Sequence, residues 1–414
     1  MALVDSGTTG LRHNGAGGLS PEQLADFHAN GFVVLRQVMD EASLQRFAAA
    51  ALRHPPVDQD VPGQTWPGPG RWTLARNAMA DPDLAFIMAS PEVTEPMRAV
   101  LEDDPKVIMF AYYDRTPGGA GIPAHNDYKR WRPIGSSMRW AFAIVPLCDF
   151  DDTAGKLELA PGSHKVAHTP DPYAPVLNAD RPTRPADDAF VDPELRRGDL
   201  VIVDMHTWHR AGANSSDHHR IGLFTKWCAA SHPPATGYFP YTGDVARALG
   251  PEGSRILGVS SDRPIRTTRA VIERVRHDRH EVLFLEGDGA LTLPGGPAEE
   301  ERSIPDWDDG NYIASLVSAL DERYKVRPPW MSWVGDYDEG DHQRCRVYGY
   351  RVPVHAWGVQ GEGVAWLTPE EAADRADELA EGFEASAASA WVHDPVVRGK
   401  GVTQSLGRAD QYAC

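Results

Sequence analysis

The chain has 414 residues, 42% of them hydrophobic and 24% charged, with a formal net charge of −18 at pH 7. That is longer than one typical domain, with a globular rather than disordered or fibrous composition, and its acidity argues against nucleic acid or an anionic membrane as the main partner, since both require a basic footprint. Four scattered cysteines (Cys148, Cys228, Cys345, Cys414) without a CxxC pair indicate a reducing compartment and no disulfide framework or zinc cluster.

No apolar run approaches a transmembrane length, and Met1 to Ser20 is Gly-rich without the apolar centre of a signal peptide, so a cytoplasmic location is expected. Residues 1–19 read as a loose tail. Ser20-Pro21-Glu22-Gln23 is a helix start with a capping box, and Gly31 ends that helix. Phe32 to Leu35 is a short strand, and Asp40 opens a second helix carrying Leu44, Phe47, Ala48 and Leu52. Val57 to Gly70 is a Pro/Gly loop; Pro91 to Leu101 reads as a helix that Pro96 kinks or restarts.

From Val107 to Cys228 the pattern is of strands and turns without helical periodicity, which predicts an all-β sandwich or barrel. Strands are expected at 107–113, 138–147, 156–159, 200–204 and 220–228, with a long loop over 166–194 of the kind that forms lids and binding loops. After Tyr241 the character becomes α+β. Helices are expected at 242–249, at 311–324 and over a long Ala/Glu stretch from 368 to about 390, and strands at 267–274, 281–286 and 348–354. The expected domains are 20–240 and 255–414, with no repeat between them.

Ala124-His125-Asn126-Asp127 carries the chemistry. On an extended segment His125 and Asp127 point to one side, because side chains alternate. A third ligand from elsewhere would complete two imidazoles and one carboxylate, the donor set of non-heme Fe(II) oxygenases. His209, following a later strand, is that ligand; His206 is its rival, but lacks the Gly and Asn of the turn after His209. Arg220 starts the next strand eleven residues on, where its planar guanidinium could hold a carboxylate by two bonds. His164 reads as a loop cap, His218 and His219 as solvated, and His28 as packing or surface. Tyr128-Lys129-Arg130-Trp131-Arg132 is either a solvated basic loop or a cationic, aromatic wall for an anionic or polar substrate, which Arg71, Trp72, Tyr113 and Arg139 would join.

Over roughly Ser20 to Cys228 the chain resembles the phytanoyl-CoA dioxygenase family of Fe(II)/2-oxoglutarate oxygenases. Shared features are Pro21 to Leu24 with Gly31 to Leu35, the segment Leu157 to His164 ending in PGSH, Gly198-Asp199-Leu200-Val201, and His209-x-x-Gly212-x-Asn214. The resemblance implies a double-stranded β-helix, a cupin-like jelly roll with flanking helices. It implies Fe(II) on His125, Asp127 and His209, 2-oxoglutarate on Arg220, and O2 as the oxidant. Arg210-Ala211 stand where the family often has Gly-Ser, so Trp208 and Thr225 are the expected stand-ins for that second co-substrate contact. Halogenating relatives replace the aspartate by a small residue; the presence of Asp127 implies hydroxylation or a related oxidation.

Leu293-Pro294-Gly295-Gly296, with Ala365 to Glu371 further on, resembles a Nudix domain. Where that family carries its glutamate-rich helix the chain reads Val317 to Glu322, keeping only Asp321-Glu322. A degenerate α+β Nudix-like domain follows, serving structure, dimerisation or substrate binding rather than hydrolysis. The leading expectation is an oxygenase hydroxylating or otherwise oxidising a small polar metabolite, an anionic one included, as in secondary-metabolite biosynthesis. Alternatives are a nucleotide- or diphosphate-binding or hydrolysing protein whose C-terminal domain is active, and a silent cupin-like binding protein. The expected partner is a small-molecule substrate, without nucleic acid or membrane, and a homodimer is left open.

Overall fold

The computed structural model describes residues 18–53, 71–74, 77–127, 140–167, 184–234, 237–287, 289–298, 310–324, 326–328, 331–352, 363–394 and 397. The chain begins with α1 (Pro21–Asn30), where Gln23 N donates to Ser20 Oγ at 3.2 Å and Ser20 N donates to Gln23 Oε1 at 2.9 Å. Gly31 closes the helix at φ +82. A Cβ there would meet Thr207 Oγ1 at 2.3 Å and His164 Nδ1 at 2.5 Å, so glycine is required on two counts. Next come β1 (Phe32–Leu35), α2 (Glu41–Arg53), β2 (Arg71–Leu74), α3 (Pro82–Ala89) and α4 (Pro91–Leu101). Helix α4 runs through Pro96, which is buried at its midpoint.

The strands that follow are β3 (Pro105–Arg115), β4 (Ile122–His125), β5 (Trp140–Pro146), β6 (Leu157–Leu159), β7 (Leu200–Asp204), β8 (His209–Ala211) and β9 (Arg220–Ala229). They form a six-stranded sheet, β1-β7-β5-β9-β3-β2, and a three-stranded sheet, β4-β8-β6, antiparallel throughout. The large sheet is buried on both faces. Ala141, Ala143, Val145, Leu223 and Trp227 pack against the helices, while Phe142, Leu157, Leu159, Val201, Val203 and Cys228 fill the space between the sheets. This explains why β5 and β7 read as continuous apolar runs rather than alternating ones.

Beyond Tyr241 the chain continues into the helix-side core. After β10 (Pro240–Tyr241), α5 (Gly243–Ser254) joins the helix-side core through Val245 and Leu249, and Ile256 O accepts from Val107 N at 2.8 Å. The strand β11 (Val259–Ser260) pairs β10.

The second domain carries β12 (Ile265–Arg276), β13 (Arg279–Gly287), β14 (Ala290–Thr292), β15 (Gly295–Pro297), α6 (Gly310–Tyr324), β16 (Ser332–Glu339), β17 (Gln343–Arg351), β18 (Val364–Leu367), α7 (Pro369–Asp374) and α8 (Glu384–His393). Its seven-stranded sheet runs β14-β13-β12-β17-β16, with β15 on β12 and β18 on β13; β12 and β17 are parallel. Helix α6 packs Ile313, Leu316 and Leu320 into its core, as the helical spacing predicts. One expectation changes. The long Ala/Glu helix breaks into α7, a short 3-10 turn at Ala376–Glu378 and α8, because Leu379 turns into the core and bridges Leu291. The LPGG motif is a close strand pairing: a Cβ at Gly295 would lie 2.0 Å from the Thr268 carbonyl oxygen.

The two domains meet around Tyr238. Its ring is buried with the inter-sheet core and lies 5.5 Å from Trp333 of β16, edge to face. Arg346 donates to Tyr238 O at 2.6 Å and to both Asp336 carboxylate oxygens at 2.8 Å. The Arg346 and Asp336 side chains are 0% and 1% exposed. Arg346→Met should destabilise the protein by about 3–5 kcal/mol, because it strands the Asp336 carboxylate in the interior. Urea unfolding of the full chain measures this, and a loss below about 1 kcal/mol, the value of an exposed pair, would contradict it.

Candidate metal centre

The register of the small sheet brings the donors together. His125 on β4 pairs directly with His209 on β8, and their rings lie 4.2 Å apart between centroids. Asp127 follows two residues after His125, its backbone N donating to Met205 O at 3.1 Å. The segment before His209 is itself held by β1's entry turn: the Gly31 carbonyl accepts from Asp204 N at 2.8 Å and from Thr207 Oγ1 at 2.9 Å. So the capping glycine of the first helix fixes the loop that delivers the distal histidine.

The imidazoles are oriented by backbone. His125 Nδ1 lies 2.8 Å from Pro123 O and His209 Nδ1 lies 3.0 Å from Thr207 O. A carbonyl only accepts, so each Nδ1 carries the proton and each Nε2 offers its lone pair. Asp127 Oδ1 is 3.6 Å from His125 Nε2. Donor atoms of His125, Asp127 and His209 all lie within 4.8 Å of one another, and this is the one such group of three His, Cys, Asp or Glu side chains among the described residues. Asp127 and His209 are buried, and His209 packs on Phe142 at 5.0 Å. Burial pushes the Asp127 carboxyl up, but the charges of Lys226, His209 and His125 outweigh it and hold the group well below the usual carboxylate range. It is therefore ionised, as a metal ligand must be. The donor set and the site's burial fit a divalent iron.

The remaining residues fall into place unevenly. Arg220 is buried on β9 with its guanidinium 3.6 Å above the Phe150 ring. Lys226, on the same face of β9 by alternation, is 0% exposed and its Nζ lies 2.9 Å from Asp127 Oδ2. The sequence reading passes over it, although an even spacing from Arg220 is the signal that could have found it. Thr225 has the odd spacing. It lies on the helix side, where it accepts from Trp227 Nε1 at 2.7 Å and stands 3.4 Å from Ala143 O, so β9 does not bring it to the donor group. Trp208 is half-buried, its backbone N donating to Ser163 Oγ at 2.9 Å.

His206, the rival ligand, is tied to Asp204 Oδ1 by backbone N at 2.8 Å and Nδ1 at 3.0 Å and stands outside the donor group. His164 is packed under Gly31 with burial lowering its pKa, a structural role. His219 is not simply solvated: its Nδ1 is 2.9 Å from Asp114 Oδ2. Arg210, which departs from the family pattern, grips Glu158 across β6 and β8 at 2.8 and 3.0 Å. Lys129, Arg130 and Arg139 lie outside the described residues, as do the side chains of Arg71 and Tyr113, whose backbones sit in β2 and β3.

Two imidazoles and a carboxylate on a two-sheet β structure match the donor set of non-heme Fe(II) oxygenases. Residues 27–222 match the model of the phytanoyl-CoA dioxygenase (PhyH) family, a stretch that contains all three donors and Arg220. The stretch that carries the donor group is thus similar to that family. Among curated relatives, the dioxygenase andF of Emericella variicolor is 25% identical over 34% of this chain and 47% of its own length, so the chain spans about half of that relative. The ectoine dioxygenase of Bordetella bronchiseptica is 24% identical over 56% of this chain and 83% of its own. A solved structure of the epimerase SnoN with Fe3+, alpha ketoglutarate and nogalamycin RO is 20% identical, covers 51% of this chain and 83% of its own, and has a TM-score of 0.42. No described helix is long and apolar enough to cross a membrane.

His209→Ala should weaken Mn(II) or Fe(II) binding by more than about 100-fold, beyond the roughly 10–100-fold cost of losing a supporting residue. His206→Ala should stay inside that supporting-residue range. Anaerobic metal titration distinguishes the two, and the reverse order would make His206 the ligand.

Proposed function

We propose that the protein is an Fe(II)- and 2-oxoglutarate-dependent oxygenase that hydroxylates or otherwise oxidises a small polar metabolite, in a double-stranded β-helix domain. The observation that carries this is the convergence of His125, Asp127 and His209 in a buried site, with donor atoms within 4.8 Å. When bound, the iron supplies O2 activation coupled to oxidative decarboxylation of 2-oxoglutarate to succinate and CO2. The chain's own part is to bind, orient and exclude water. Both histidines keep Nε2 toward the centre through their Nδ1 bonds to backbone carbonyls. Arg220 anchors the far carboxylate of 2-oxoglutarate; its burial against Phe150 keeps the guanidinium out of water, where a charge-assisted pair is strongest. Phe142 and Phe224 wall the space between. Trp208, next to the distal histidine, is read as a second contact to the co-substrate. An anionic substrate would find its cations in Lys129, Arg130, Arg139 and Arg71.

The second domain is read as a degenerate Nudix-like fold without a hydrolytic centre. In support, Asp321 at the end of α6 is bound to Arg327 at 2.6 Å, and the second domain contributes no three-donor group among the described residues. Its contacts through Trp333 and Arg346 favour a structural role at the end of the first domain's core.

Incubated with Fe(II), ascorbate and 2-oxoglutarate, the full chain should release succinate, and His125→Ala should abolish this. Arg220→Ala should raise the KM for 2-oxoglutarate by at least about 30-fold, since losing one partner of a buried charge pair costs roughly 2–5 kcal/mol. Succinate release that survives His125→Ala, or an unchanged KM in Arg220→Ala, would sink the respective assignment.

A further inference from the structure

Lys226 lies beyond the segment 27–222 that matches the family model, yet its Nζ lies 2.9 Å from Asp127 Oδ2. Its side chain is 0% exposed, and its backbone is clamped between β5 and β3, opposite Phe142 and Met109. A lysine is almost never fully buried unless paired, because taking an ammonium from water is costly. Its described ionic partner is Asp127 Oδ2, at 2.9 Å, while Oδ1 of the same carboxylate faces His125 Nε2 at 3.6 Å. The two oxygens are thus committed to different neighbours.

We propose that Lys226 is a positioning residue of the metal centre, which occupies one carboxylate oxygen of Asp127 so that this ligand offers the metal only the other. The proposal rests on His125, Asp127 and His209 as the metal set. A carboxylate can bind a cation through one oxygen or through both. An aspartate free to chelate would fill a coordination position that a chelating 2-oxoacid needs. Lys226 prevents this by a buried ion pair, and strand β9 holds it there: the residue cannot leave without breaking the pairing of a central strand. The same ammonium adds a second cation to the face of β9 that carries Arg220, in a site whose co-substrate is a dianion.

The test uses the full chain loaded with Co(II), whose visible spectrum reports coordination number, and titrated with 2-oxoglutarate. Lys226→Met should still bind one Co(II), with a spectrum shifted toward higher coordination. Its affinity for 2-oxoglutarate should fall by about tenfold or more, the scale of one lost bond to a charged group. Lys226→Arg, which keeps the cation and the donors, should restore both. Wild-type spectrum and affinity in Lys226→Met would overturn the proposal. His125→Ala tells this apart from failure of the metal assignment. If cobalt binding is unchanged in that variant, the metal set is wrong and the proposal falls with it. Should Lys226→Met not fold, a crystal structure of the Mn(II)-loaded wild type decides. Asp127 giving one oxygen, with the other still on Lys226, supports the role; Asp127 chelating through both contradicts it.

Discussion

The cross-strand pairing of His125 with His209 is the constraint on which the site depends. A slip of one residue between β4 and β8 would turn one imidazole to the opposite face and dissolve the donor group. The pairing is guarded from several directions. β8 is held on its other edge by β6, where Glu158 and Arg210 form a bidentate cross-strand pair. The loop leading into β8 is bound to the Gly31 carbonyl, and Asp127 N reaches Met205 O on that same loop. Helix cap, loop and small sheet therefore form one chain of hydrogen bonds that ends at the donor group of His125, Asp127 and His209.

The large sheet plays a different part. Its helix-side face is an ordinary apolar core, built from short and branched side chains against α2 to α5. Its inner face carries Phe142, Phe224, Arg220 and Lys226, so the charges that serve the site stand on a strand that cannot shift. The cost of burying two cations is offset by specific partners: the Asp127 carboxylate for Lys226 and the Phe150 ring for Arg220. The second domain reaches this layer through Tyr238 and Trp333, and Arg346, paired with Asp336 inside that domain, donates to the Tyr238 carbonyl oxygen.

Much of this is legible in the residues. The capping box at Ser20, the strands from Val107 to Cys228 and the helical face of Ile313, Leu316 and Leu320 follow from local periodicity, and local periodicity is what the fold keeps. The HxD pair and His209 are also readable, because alternation places His125 and Asp127 together and a later strand end supplies the third donor. What periodicity does not carry is long-range. Lys226 looks like a solvated cation until β9 is known to be central, and Thr225 looks available until its odd spacing from Arg220 puts it on the helix side. The place of α5 in the first core depends on its packing against α3, and the break after α7 on Leu379 reaching Leu291; neither leaves a local signal. In the LPGG segment Gly295 is demanded by a backbone carbonyl 2.0 Å from where a Cβ would sit, a requirement set by the pairing of β15 with β12.

The location of the metal is the claim that everything else assumes, and an anaerobic Fe(II) titration of the full chain with its variants reaches it most directly. One Fe(II) per chain is expected, lost in Asp127→Ala and retained when Asp321 and Glu322 of the second domain are both changed to Ala. Retention of full stoichiometry in Asp127→Ala, or its loss in the double variant, would place the metal elsewhere and contradict the reading of the first domain as the seat of the chemistry.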